Sequence, residues 1–216
     1  MDTYQTLCAI SAPLSMKVSF GAKTLAQPAP VWIVGSYDEH GNPNAMTAAW
    51  GGICCSKPPC LAVSLREERH SYSSILARKA FTVSVPSVKY APQADYFGIA
   101  SGRDVDKFAV TGLTPVRSEV VDAPYVGEFP LILECVLVRT VELGMHVQFI
   151  GEILDVKADE DVLGPDGYPD AARVQPLIFT PVNRAYHTVG EYAGQAFSLG
   201  LGYRKDHPAA SRAAKA

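Results

Sequence analysis

With 19 lysines and arginines against 22 aspartates and glutamates, this 216-residue chain carries a net charge of −3 and no basic run, a poor match to nucleic acid or an anionic membrane. No apolar stretch approaches the roughly 18 residues a spanning helix needs, and the first residues lack the positive start of a signal peptide. Five cysteines, an odd number with two adjacent, do not suit a secreted disulfide framework, so the reading is a cytoplasmic protein with free thiols.

Residues 1–15 read as an N-terminal extension, and patterned sequence begins at Met16. The segment 30–37 (PVWIVGSY) is β-branched and aromatic, and DEHGNP then turns the chain into a hairpin partner over 44–50. Residues 51–59 read as a connector that leaves through Gly51-Gly52 and turns at Pro58-Pro59. Strands follow at 60–66 and 80–86. A helix is expected over 71–78, with Ser71 as N-cap and Ile75 and Leu76 as its apolar stripe. APQADYFGIA and RDVDKFAV are weaker helical segments. The long runs 131–143 and 146–157, joined at Gly144-Met145, alternate only partly, as strands covered on both faces do. A last strand is expected over 174–180, and 204–216 read as a flexible tail. The whole is a mainly β single domain, a closed or nearly closed antiparallel barrel with a few short helices.

The cysteines of GGICCSKPPC lack a second cluster to complete a tetrahedral metal site, and no Cys-x-x-Cys is present. They read as packing, with no metal ligand assigned. Neither a Rossmann nor a P-loop signature occurs. SLREERHSYSSI instead runs from a strand end through Arg66 and Arg69 to a helix start. Guanidinium donors, hydroxyls and free N–H groups gather there, as an anion requires, although a charged loop with an N-cap serine gives the same pattern. In NAMTAAWGG, small residues around Thr47 and Trp50 either admit a flat ligand to the backbone or pack tightly beside a core Trp. The histidines are scattered, and no catalytic triad or carboxylate pair stands out.

The ordered series N-A-M-T-A-A-W, S-K-P-P, S-L-R-x-x-R-x-S-Y, S-G-R-D-V-D-K-F and M-H-V-Q-F-I-G-E-I resembles the flavin reductase-like, FMN-binding split-barrel proteins, and within them the flavoredoxins. The likeness covers about residues 16–203. It implies a Greek-key split β-barrel that dimerises, with FMN near the subunit interface. It places Met46, Thr47, Ala48, Ala49 and Trp50 along the isoalloxazine and Ser64, Leu65 and Arg66 along the ribityl chain. Arg69 and Ser71 would take the phosphate, and Lys107 would approach from the side. Asn44 and Tyr72, in the same motifs, are counted with the cofactor-binding residues. No catalytic residue is certain; His146 would lie on the nicotinamide side. The implied function is an FMN oxidoreductase taking electrons from NAD(P)H or a redox protein to a flavin or protein acceptor. A pure FMN electron carrier and, from the thiols, a cysteine metal-binding barrel are the alternatives.

Overall fold

The computed structural model describes residues 15–206; residues 1–14, with Cys8 and most of the expected extension, and residues 207–216 lie outside the described residues. In chain order the elements are β1 (Ala29–Pro30), β2 (Trp32–Tyr37), β3 (Pro43–Ala48), β4 (Gly51–Ser56), β5 (Pro59–Leu65), α1 (His70–Arg78) and β6 (Ala80–Val85). Next come α2 (Ala91–Ile99), α3 (Lys107–Thr111), β7 (Pro115–Arg117), β8 (Pro124–Val126), β9 (Leu131–Leu143) and β10 (His146–Ala158). The last are α4 (Ala171–Val174), β11 (Ile178–Thr180), β12 (Ala185–His187) and α5 (Leu201–Asp206). None of the described helices is long and apolar enough to cross a membrane.

Seven strands form one antiparallel sheet in the order β3-β2-β6-β9-β10-β5-β4. Laid flat, its outer strands would stand about 29 Å apart at the usual strand spacing. Yet β3 and β4 occupy opposite ends and are joined only by Ala49 and Trp50, a link that reaches at most about 11 Å. The sheet must therefore curl until its ends meet. A bond from Ser64 N to Trp50 O at 2.8 Å fastens the closure. At Gly51 an added Cβ would lie 2.6 Å from the Trp32 ring, so the smallest residue is needed to begin β4.

Both faces of β2 are covered, as its unbroken apolar run requires. Val34 points into the barrel with Leu61, Val63, Leu65, Phe81, Val83 and Phe149. Ile33 points outward under α2 and α3, against Phe97, Phe108 and Phe129. This second layer holds α2 along β3 and so shapes one wall of the cleft described below.

Several sequence expectations change. The strand expected over 44–50 starts at Pro43 and stops at Ala48, because Ala49 and Trp50 are needed to cross the barrel. Residues 51–56 are a strand, not a connector: their pairing with β5 overrides the glycines' low strand preference. The helix begins at His70 with Arg69 at the N-cap, where no side chain caps it, and Ser71 is buried inside the first turn. Of the strand expected over 174–180 only Ile178–Thr180 forms; Asp170 caps a helical turn that takes Val174, its carboxylate accepting from Ala172 N and Arg173 N. The tail expected from 204 is helical to Asp206. Cys60 and Cys135 are buried as packing requires, but Cys54 and Cys55 are exposed on β4, so packing does not account for them.

Candidate functional site

Where β3 crosses to β4, the barrel end and the start of α1 enclose a cleft made of two cavities. One, of about 330 Å³, is lined by Met46–Trp50, Ser64, Leu65, Arg66, Arg69 and His146. The other, of about 290 Å³, adds Asn44, Ser71 and Lys107, with the loop after α2 as its roof. Met46, Thr47 and Arg69 line both. Residues from four separate segments, proposed from unrelated motifs, thus line one cleft. Tyr72 is the exception: its ring stands edge-on against Phe149 in the barrel core.

At the inner end the chemistry suits an anion. The nine-residue helix α1 starts there with no acidic residue in its first turn, so its free N–H groups keep their positive character. Ser71 Oγ accepts from Asn44 Nδ2 at 2.9 Å, which leaves its own hydrogen free to donate. Lys107 is almost wholly buried. Its Nζ donates to Ala45 O at 2.7 Å and Phe97 O at 3.0 Å, leaving one proton of the ammonium for a ligand. Burial, and then the nearby Arg69, lower its pKa to about 8. Asp106 sets this lysine in place by capping α3, its carboxylate accepting from Ala109 N at 3.0 Å.

At the outer end Arg66 reaches Glu68 Oε1 at 2.7 Å, while its Nε is buried with no partner. Thr47 Oγ1 donates to Ala94 O in a short hydrogen bond, so toward the cleft it presents lone pairs only. Trp50 is 41% exposed and walls the open side.

Sequence reasoning missed the roof. Arg103 Nη1 donates to Glu68 O at 2.7 Å, latching the loop between α2 and α3 over the start of α1. Gly102 lies so close that an added Cβ would sit 2.2 Å from Asn44 Oδ1 and 2.9 Å from the His70 ring. His70 and Arg103 also line two further cavities beyond the roof. Burial and the neighbouring Arg103 hold the His70 ring below its usual pKa, so it is neutral at pH 7. The sequence signal for the roof is the Gly102-Arg103 pair within S-G-R-D-V-D-K-F.

A family model described as flavin reductase like domain matches residues 25–190. The chain is similar to the solved flavoredoxin of Desulfovibrio vulgaris (Miyazaki F), with 57% identity and a TM-score of 0.82 over 86% of this chain and 100% of that one. It is also similar to the flavoredoxin of Methanosarcina acetivorans, with 29% identity and a TM-score of 0.79 over 88% and 99% of the two chains. A high molecular weight rubredoxin of Moorella thermoacetica is 37% identical over 103 residues, 46% of this chain and 43% of that protein.

Proposed function

The chain belongs to the flavin reductase-like family of oxidoreductases, and on that basis we propose that its cleft binds FMN and that the protein transfers electrons through it. The observation that carries the proposal is the polarity of the cleft. A charge-assisted anion site lies at one end, and a flat strand edge of small residues lies at the other.

The residues fit the group. Arg69, the Ser71 hydroxyl, the first N–H groups of α1 and the free proton of Lys107 would hold the phosphate. Ser64, Leu65 and Arg66 would line the ribityl chain, where the partnerless Arg66 Nε needs an acceptor. Met46–Trp50 would support the ring, with Thr47 accepting from a ring N–H. Bound FMN supplies the redox chemistry, accepting and passing on electrons at its ring. The chain supplies position, a positive field and, through Trp50 and His146, one open side at which a donor can approach.

The donor is NAD(P)H or a redox protein, and the acceptor a flavin or protein. A second copy of the chain would cover the exposed apolar residues Val138, Leu143, Met145, Leu154 and Val156 of β9, β10 and the turn between them, making a homodimer. The visible spectrum of the purified protein tests flavin binding; a colourless protein that takes up no FMN overturns the proposal. Anaerobic addition of NADH or NADPH then separates the donors. Rapid bleaching supports a reductase, and bleaching by a reduced protein alone supports a carrier. Sedimentation measures the dimer.

A further inference from the structure

The turn end of the β4–β5 hairpin carries three of the chain's five cysteines, none of which lines the cleft. Across it Cys55 faces Cys60 directly in the antiparallel register, one pair from the turn. Opposed residues in such a pair have Cα atoms about 4.5–5.5 Å apart, inside the window of about 4.4–6.8 Å that a disulfide spans. The side chains of directly opposed residues share a face of the sheet. A bulge at Cys54 shifts that residue out of register, so it has no such counterpart.

The two sulfurs also differ in the way an exchange site requires. Cys55 is exposed and open to disulfides in solution, whereas Cys60 is buried. Burial, then the neighbouring Cys55 and Cys54, raise the Cys60 pKa. Cys135, by contrast, is buried in the barrel core and pushed up to about 12, which makes it inert. Among the described residues no group of three His, Cys, Asp or Glu is placed to hold a metal ion.

We propose that Cys55 and Cys60 form a thiol–disulfide exchange site for low-molecular-weight disulfides. The Cys55 thiolate attacks one sulfur of RSSR, giving a mixed disulfide and releasing RS⁻. The Cys60 thiolate then attacks the Cys55 sulfur and releases the second RS⁻. The two thiols are oxidised to one disulfide, and RSSR is reduced to two RS⁻, which take up through solvent the two protons the cysteines gave up. Because Cys60 must first ionise, the second step quickens as pH rises. Cys60 lies four residues before Ser64 on an extended strand, about 13 Å from the cleft, so the exchange does not depend on flavin.

The test is to treat the full chain with oxidised glutathione at pH 8, then count thiols after denaturation and measure the intact mass. The expected result is a fall from five thiols to three with loss of two hydrogens and no retained glutathione. Cys54→Ser should close the same bond. Cys60→Ser should keep glutathione on Cys55, and Cys55→Ser, a surface change that folding tolerates, should form no internal bond. An unchanged thiol count, a bond between two chains, or an internal bond surviving in Cys55→Ser would overturn the assignment.

Discussion

Replacing Lys107 with methionine removes the ammonium while keeping most of the side chain's length. Free lysine titrates near 10.4, so a buried Lys107 titrating at about 8 makes its charge cost on the order of 3 kcal/mol at neutral pH. Lys107→Met relieves that cost but strands Ala45 O and Phe97 O, each losing a donor at roughly 1–3 kcal/mol. The two effects nearly cancel, so the variant should fold with close to wild-type stability. The ligand sees no such cancellation. Losing one charge-assisted contact to phosphate costs about 1.5–3 kcal/mol, or roughly 10- to 150-fold in Kd.

The pH dependence isolates the cause. A depressed lysine pKa means that the unfolded chain binds more protons between pH 8 and 10.5. Lys107 therefore weighs against folding below pH 8, and this penalty eases as pH rises toward 10.5. Binding runs the other way, because the phosphate favours the charged form. Its second ionisation, near pH 6, is complete well below pH 8, and His70 is already neutral. FMN affinity, followed by quenching of flavin fluorescence, should thus fall as pH rises through about 8, with a proton taken up on binding. Lys107→Met should be weaker throughout and flat over that range. An equal slope in both proteins would refute a phosphate role for Lys107.

Arg69→Ala should weaken FMN by roughly 1.5–3 kcal/mol, measured by equilibrium titration; wild-type affinity would mean the phosphate lies elsewhere. Gly102→Ala should lose flavin affinity and lower Tm, because the new methyl displaces Asn44 and with it the Asn44–Ser71 hydrogen bond. Lys157→Met should destabilise the fold in denaturant titration, by less than the roughly 3–5 kcal/mol of a wholly buried pair because Lys157 is 36% exposed, since it strips the fully buried Glu134 of its cation. Although burial works against it, hydrogen bonds to Asp155 and Glu134 raise Lys157 to about 12, so that pair should persist through pH 10.

How much of this was legible depends on what decides each element. The strands near 30–37, 60–66, 80–86, 131–143 and 146–157 declare themselves through β-branched and aromatic runs that need no further cue. The strand β4 does not, because glycine and cysteine have little intrinsic preference and its partner alone makes it extended. The N-cap at Arg69 was hidden for a related reason: Ser71 looks like a cap, but tertiary packing uses its hydroxyl against Asn44. Site residues within the motifs were readable because hydroxyls and guanidiniums at a helix start carry their own chemistry. The roof was not, since Gly102 and Arg103 act through contacts with Asn44, His70 and Glu68, more than 30 residues away in sequence. Tyr72 shows the converse, a residue beside the anion site in sequence whose ring serves the core.

The most direct measurement is a comparison of FMN with riboflavin, the same ring and ribityl chain without phosphate, titrated into flavin-free protein. One FMN should bind per chain, with riboflavin at least tenfold weaker, because Arg69, Ser71, Lys107 and the start of α1 would lose their anion. Equal affinity for the two, or no binding of either, would contradict the placement of the cofactor.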